Sequence, residues 1–490
     1  MFFSRRFASQ YAPRRLPPTI KEILGSNIPQ ETSVSLNGWI KSIRKQKRVS
    51  FAVIYDGSSA KGIQAVFPNT LNVKDLTNGS SVRLTGNLVP SPGSGQAKEL
   101  QVKAVDVLGA CPQETYPIQK KDLTNEYLRE NVHLRARTTA IAAMLRLRDC
   151  LHRSIHDYLK SQSFVHVHAP ILTANDAEGA GETFRIAPVA AHPDAQSTET
   201  QSPTEFFGAP AHLTVSSQLH MEAFQAALSR VYTANPAFRA ERSQTSRHLA
   251  EFWMVEPEWT LTEGITEVCD VTEDLLRDIV NRAFVECAED IEALHAVGGR
   301  LERLEALKAA VSPDTLRWRR MTYTEAVETL QRTGVKFKQT PTWGASLSSE
   351  HERYLAEEVV KGPVFVTNYP REIKAFYMRV DDPSLPREQQ TVSCFDLLVP
   401  HMGELVGGSV REERADVLEE KMREEGMILP EQSSEVDEGP YAWYLSLRKF
   451  GATPHGGFGL GFERLVSWVG DVDSVKECIP VPRTVGRIDL

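Results

Sequence analysis

Between about Thr32 and Val107 apolar and polar residues alternate in five short runs, and this pattern restricts the fold more tightly than any other feature of the chain. Val34, Leu36 and Ile40 form the first run, Phe51, Val53 and Tyr55 the second, and Ile63, Ala65 and Phe67 the third. Val82, Leu84 and Leu88 make the fourth; Leu100, Val102 and Ala104 make the fifth. Successive side chains of a strand point to opposite faces, so period two means strands with one buried face. Breaks at Asp56-Gly57, Asn78-Gly79 and SPGSG separate them. About five short antiparallel strands fit a small closed barrel of the oligonucleotide-binding kind. The densest basic cluster, KSIRKQKRV, lies between the first two strands. A charge run is usually a solvated face, but beside a barrel strand it also suits a surface that contacts phosphates. Alternation alone leaves Phe51 as either a core ring or an outward-facing one.

A chain of 490 residues exceeds what one hydrophobic core usually supports, so at least one further domain is expected. We place a leader at residues 1–15, the barrel at 16–112, a polar connector at 113–135 and a second domain at 136–490. The last opens with a long helical stretch from roughly His133 to Ser161 and continues as a mixture of strands and helices. Two of its segments read as insertions. HPDAQSTETQSPTE is rich in Ser, Thr and Pro and is expected to be a loop. The stretch from about Thr262 to Ala310 has helical periodicity with many i,i+4 charge pairs and is expected to pack outside the core.

The net charge of −8 argues against a wholly basic nucleic-acid binder and leaves room for a local basic face. The six cysteines lack the short paired spacings of a zinc site or a redox pair. No uninterrupted apolar stretch approaches the roughly 20 residues needed to cross a bilayer, so no membrane insertion is expected. The first fifteen residues carry Arg5, Arg6, Arg14 and Arg15, and no acid occurs before Glu22. This composition is that of a mitochondrial presequence, with the matrix as destination; the alternative is a basic arm that touches RNA.

Four segments carry candidate chemistry. FVHVHAPIL, residues 164–172, is a helix end running into a strand that closes on Pro170, and it is followed by AEGAGETF, where Glu178 stands before small residues that admit a close ligand. FRAERSQTSRHLAEFWMVEPE, residues 238–258, reads as strand, polar loop, strand. Attack of a carboxylate on an α-phosphate gathers negative charge that needs a cation, a role a residue such as Arg239 fits. FDLLVPHMGELVGGSVRE joins Asp396 and Glu404 across a tight turn to Ser409 and Arg411, and two such carboxylates suit Mg²⁺ held against ATP phosphates. GGFGLGFERL, residues 456–465, puts glycines before Glu463-Arg464 at a helix start. It is not a Walker loop, since GxxxxGK[ST] occurs nowhere.

Taken together, these segments resemble the three signature motifs of the class II aminoacyl-tRNA synthetases, in the aspartyl, asparaginyl and lysyl subgroup, across essentially the whole chain after the leader. The resemblance implies an α+β protein: an OB-fold anticodon-binding barrel plus a catalytic domain with a mostly antiparallel sheet flanked by helices. It implies a homodimer interface around Pro170. It implies an ATP site in which Arg239 meets the α-phosphate, Glu241 the adenine amino group, and Arg247 and His248 the β- and γ-phosphates. Phe252 and Arg464 would cover the two adenine faces beside Gly461, and Glu404 would hold Mg²⁺ with Ser409 helping to place it. In the barrel, Phe51 would stack on the central anticodon uridine, Gln64 would read its edge, and Arg44 and Lys45 would hold the backbone.

Within the subgroup RHLAEFWMVEPE, VSSQLHMEAF, NYPREIKAFYMR and PHGGFGLGFERL look asparaginyl. Aspartyl enzymes carry a lysine three residues after a glutamine that here is Gln218, and the corresponding position here is Met221. Without that cation, Arg411 can donate to an amide oxygen while Glu256 or Glu178 accepts from an amide nitrogen; Ser216, Gln218 and one of these glutamates remain open for the α-ammonium group. The expected reaction joins asparagine to tRNA(Asn) at the expense of ATP. An aspartyl enzyme, and a synthetase-like RNA binder without catalysis, stand as alternatives. Gly456 stands where a serine is common, and the Ser/Thr-rich loop is longer than the resemblance leads one to expect.

Overall fold

The computed structural model describes residues 16–26, 32–93, 96–175, 182–187, 205–243, 245–260, 263–428 and 439–490. The leader, Glu178 and nearly all of the Ser/Thr-rich segment lie outside them. The chain divides into two compact units, 1–143 and 144–490.

The first unit is the expected closed barrel. Strands β1 (Ser33–Arg44), β2 (Val49–Tyr55), β3 (Ile63–Pro68), β4 (Ser81–Pro90) and β5 (Lys98–Gly109) pair in the order β1-β2-β3-β5-β4, and β4 returns to β1. All pairs are antiparallel except β3 with β5. Inside lie Leu36, Ile40, Ala52, Ile54, Ile63, Ala65, Phe67, Val82, Leu84, Leu88, Leu100 and Val102. In β2 the inward residues are therefore Ala52 and Ile54, while Phe51 and Val53 face outward and are half-buried. The fifth run also shifts. Thr85 pairs with Ala104 but Gly86 with Val102, and this bulge exposes Ala104 and turns Val105 onto the core. Helix α1 (Ile20–Gly25) packs Ile20 and Ile23 against the same core. It is nucleated by a capping box of Thr19 and Glu22, and the Ile20 N–H donates to Asp56 at 2.7 Å.

Short helices α2 (Asn125–Glu130) and α3 (Val132–Arg135) precede the long α4 (Thr139–Ser161), so the expected single helical stretch is interrupted between Arg135 and Thr139.

The second unit is built on an eight-stranded sheet. Its strands are β6 (Val165–His166), β10 (Arg230–Phe238), β11 (Glu251–Thr260), β12 (Arg319–Thr322), β13 (Val364–Pro370), β14 (Thr391–Val399), β15 (Gly403–Val410) and β16 (His455–Gly461). A separate small sheet holds β7 (Leu172–Thr173), β8 (Arg185–Ile186) and β9 (Ala211–Leu213). The large sheet runs β12-β13-β14-β15-β16-β11-β10-β6, parallel only at its two end pairs. Helix α5 (Gln218–Leu228) lies against β10 and β11.

Helices α6 (Ile265–Glu286), α7 (Ala288–Gly298) and α8 (Leu301–Val311) occupy the segment expected to pack outside the core, and for α6 that expectation is corrected. Val268, Cys269, Leu275, Leu276, Ile279, Val280 and Ala283 are all fully buried, and the helix packs on β14, β15 and β16. Its charge pairs, such as Arg277 with Glu273, sit beside a 3.6-period apolar stripe that makes it a layer of the core. Further along come α9 (Tyr323–Arg332), α10 (Ser349–Tyr354), α11 (Ala415–Glu424), α12 (Ala442–Lys449) and α13 (Phe462–Gly470). Among the described residues no helix is long and apolar enough to cross a membrane.

Candidate active site

Strands β10, β11, β15 and β16 are neighbours in the sheet, so segments distant in sequence meet on one surface. Arg239, Glu241, Arg247, His248, Phe252, Glu404, Gly461 and Arg464 all line one pocket of about 120 Å³. Every residue assigned to ATP from sequence is thus brought to one place.

Each of its cations has an acid nearby. Arg464 donates to the Glu404 carbonyl at 2.9 Å and to its carboxylate at 3.2 Å. Arg247 reaches Glu352 at 3.1 Å, and Glu241 stands 3.9 Å from Arg239 and 3.3 Å from His248. The Arg239 guanidinium lies 5.4 Å from the Phe252 ring centroid. Burial pushes the Glu404 carboxyl up, but Arg464 and Lys374 outweigh it and hold the group below its ordinary range. Burial lowers His248, with Glu241 opposing. The helix that presents Arg464 is anchored from behind, where Glu463 accepts from the Trp253 N–H at 2.9 Å and pairs with Arg148 at 2.7 Å.

Asp396 does not line this pocket. Both its oxygens receive Lys374 Nζ, at 2.7 and 2.8 Å, and burial raises its carboxyl despite that lysine. Among the described residues no group of three or more His, Cys, Asp or Glu side chains is arranged to hold a metal. Two hard oxygens nonetheless flank bare backbone: a Cβ on Gly407 would stand 3.3 Å from Glu404 Oε1 and 3.7 Å from Asp396 Oδ1. That space suits a cation which takes its remaining ligands from phosphates and water, as Mg²⁺ does.

The residues expected to hold the amino acid are more deeply buried. Glu256 accepts from the Ser216 hydroxyl and, at 3.0 Å, from the Ser217 N–H; burial raises its carboxyl, partly offset by those donors. Gln218 donates to Glu222 at 3.2 Å. Arg411 gives Nε and Nη2 to Glu258, at 3.0 and 2.9 Å, and Nη1 to the Ser409 hydroxyl at 2.6 Å. Gly457 must be glycine here, because a Cβ would meet Glu258 Oε2 at 2.2 Å and the Pro257 carbonyl at 2.3 Å. Met221 is a correction: its side chain is fully buried in an apolar cluster with Ala169 and Val231, so it packs α5 onto β10 and brings no group to a ligand.

The family model for class II tRNA synthetases (D, K and N) matches residues 124–485, and that for the OB-fold nucleic acid binding domain matches residues 34–108. The asparagine–tRNA ligase of Vibrio parahaemolyticus is 44% identical over 485 residues, 97% of this chain and 98% of that protein. The chain belongs to the class II tRNA synthetases, among the asparagine–tRNA ligases. The asparaginyl-tRNA synthetase of Mus musculus is 43% identical, covering 92% of this synthetase and 90% of the mouse protein. A solved structure from Pyrococcus horikoshii, an asparaginyl-tRNA synthetase complexed with asparaginyl-adenylate, shares the synthetase's fold with a TM-score of 0.81 at 30% identity, over 96% of this chain and 99% of that one.

Sequence reasoning missed the groups behind the synthetase's site. Glu222 is fully buried and accepts from Tyr444 at 2.8 Å, Arg448 at 2.7 Å and, at 3.0 Å, from His455. Burial pushes its carboxyl up, but Arg448 and His455 outweigh that and leave it well below the ordinary range. Glu258, Lys374 and Glu352 were missed as well. Each lies within a quoted motif or a long-range pair, and no local spacing marks it.

On the barrel, Arg44 is exposed and opposite Phe51 in register, and Val53 is opposite Gln64. Gln64 donates to Glu99 at 3.0 Å, and Glu99 also accepts from Gln101 at 2.8 Å. Phe51, Gln64 and Glu99 therefore share the outer face. Lys45 donates to the Lys74 carbonyl at 2.7 Å. Pro170 is exposed beyond β6, the outermost strand of the large sheet.

Proposed function

We propose that the chain ligates asparagine to tRNA(Asn) through an asparaginyl-adenylate. The observation that carries this is the convergence of Arg239, Arg247, His248, Phe252, Glu404 and Arg464 on one pocket. The asparagine carboxylate attacks the ATP α-phosphorus, the bond to the β-phosphate bridge breaks, and pyrophosphate leaves. A terminal ribose hydroxyl of tRNA then attacks the adenylate carbonyl and releases AMP. Both steps need positioning and charge stabilisation more than a nucleophilic side chain. Arg464, hydrogen-bonded to Glu404, and Arg239, with Glu241 3.9 Å away, supply positive charge already in the pocket. Glu404, with Asp396 beside it, would hold Mg²⁺, which neutralises phosphate charge when bound.

Selectivity for the amide follows from charge balance. Glu258 already neutralises Arg411, which retains one N–H on each terminal nitrogen for an uncharged carbonyl oxygen. An aspartate carboxylate would find no uncompensated cation there and would add a third charge to a buried pair. Amino-acid-dependent ATP–pyrophosphate exchange, run with asparagine and aspartate in parallel, tests this. Strong exchange with asparagine alone is expected, and equal exchange with aspartate would overturn the selectivity.

The exposed edge strand β6 and Pro170 suit pairing with a second copy, giving a homodimer, which sedimentation would reveal. The arginines of the first fifteen residues suit import into the mitochondrial matrix. A fluorescent fusion of residues 1–30 that remains cytosolic would remove that assignment.

A further inference from the structure

Arg247 and His248 line more than the nucleotide pocket. They also border a larger cavity of about 540 Å³ between α8, α10, the β14–β15 turn and the end of α13. The acids of its wall are all matched by donors. Asp471 pairs with Arg300 at 2.7 Å and Arg303 at 2.9 Å, Asp473 with Arg300 at 2.6 Å, and Glu357 accepts from the His401 N–H at 2.8 Å. Two of its cations are not matched. Arg353 and Lys361 line the cavity, are exposed, and have no hydrogen-bond or ion-pair partner among the described residues. Glu357 meets only an uncharged donor and keeps its charge, so two free cations stand against one uncompensated acid, and a concave surface with that excess attracts anions.

Three left-handed residues and a buried ring border the same cavity. Seven non-glycine residues have positive φ among the described residues, and three of them, Lys361 at 56°, His401 at 68° and Asp471 at 49°, line it. All three are local chain reversals: Asp471 is the left-handed C-cap of α13, His401 is in the β14–β15 turn, and Lys361 follows a helix end where the Gly362 N–H donates to the Ala356 carbonyl at 2.9 Å. His295 is 1% exposed and also borders the cavity; its Nε2 stands 3.1 Å from the Val469 carbonyl, and its Nδ1 faces the Asp471 carboxylate at 4.0 Å.

We propose that this cavity is a separate site for inorganic pyrophosphate, which receives the leaving group and admits it in the reverse reaction. This rests on the reading of the smaller pocket as the ATP site. When the amino-acid carboxylate oxygen bonds to the α-phosphorus, the electron pair of the breaking P–O bond departs on the pyrophosphate. Arg247 and His248, common to both spaces, are at the point of transfer, and Arg353 with Lys361 holds the anion beyond it.

The test is ATP–pyrophosphate exchange by the full-length protein at fixed magnesium, comparing wild type with Arg353→Gln, Lys361→Gln and the double variant. Both residues are exposed, and a melting curve checks that folding is intact. Loss of charged contacts to the anion is expected to raise the KM for inorganic pyrophosphate about tenfold in the double variant, with the KM for ATP unchanged. A wild-type pyrophosphate KM in the double variant overturns the site. A parallel rise in both constants also overturns it, because it assigns the residues to ATP. Absence of asparagine-dependent exchange in the wild type would instead remove the parent reading, and this inference with it.

Discussion

Two surfaces of this protein, the catalytic pocket and the outer face of the barrel, use their positive charge in opposite ways. In the catalytic pocket Arg239, Arg247 and Arg464 each have an acid within 4 Å, and His248 shares Glu241 with Arg239. On the barrel Arg44 is exposed and has no hydrogen-bond or ion-pair partner among the described residues. The difference matches two different physical tasks. Stabilising charge that develops in a transition state requires dipoles and cations already in place, and the acids beside these cations lower their net potential. Capturing a flexible single strand needs attraction and a stacking face, and free cations beside an aromatic ring provide both.

The largest effect should come from the buried support of the pocket. Glu222→Ala leaves Arg448 and His455 without their acceptor, and removal of one partner from a buried charged cluster costs about 3–5 kcal/mol. Thermal or urea unfolding measures it. The pH dependence sharpens the point. The folded Glu222 carboxyl lies below its ordinary value, so the unfolded chain binds the extra proton and this contribution is lost as pH falls below about 4.3. Glu222→Gln should therefore flatten the loss of stability on the acid side. An unchanged acid limb would show that Glu222 is not coupled as drawn.

Arg239→Ala and Arg464→Ala come next. Each removes a preorganised cation, and losses of about 10²–10³ in exchange rate are expected with the fold intact. Unchanged exchange in either variant would make these arginines ordinary surface ion pairs and erase the contrast with the barrel. For Glu404→Gln, a magnesium titration of exchange should show an apparent metal affinity weakened by about 10–100-fold. A wild-type titration would remove Glu404 from the metal.

How much of this was legible in sequence depends on how far apart the interacting groups lie. The nucleotide pocket could be read because its cations and ring sit in two compact segments whose alternation and glycines declare strand, loop and helix start. The compensation around the amino acid could not. Glu222 meets Arg448 across 226 residues and Glu258 meets Arg411 across 153, so only the sheet order brings them together. Likewise α6 was misplaced because its surface charge pairs are conspicuous, whereas the burial of its apolar stripe depends on a sheet that no local pattern announces. Strand existence in the barrel was readable, but the phase of β2 was not, since Phe51, Val53 and Ala52, Ile54 are both apolar sets.

The phase of β2 gives the smallest and most discriminating prediction. With Ala52 and Ile54 filling the barrel, Phe51 is free of the core and stands on the face that carries Gln64 and Glu99, opposite Arg44. Phe51→Ala should leave the melting temperature and asparagine-dependent exchange close to wild type, because neither the barrel core nor the catalytic pocket loses a contact. Loss of a stacked base should cost about 1–3 kcal/mol of tRNA binding. Arg44→Ala should weaken binding less and lower the salt slope by about one unit, the signature of one lost phosphate contact. A Phe51→Ala protein that binds tRNA normally would show that the outward ring is not a stacking platform. If Arg44→Ala left the salt slope unchanged, the free cation of the barrel would be no different in role from the acid-flanked ones of the pocket.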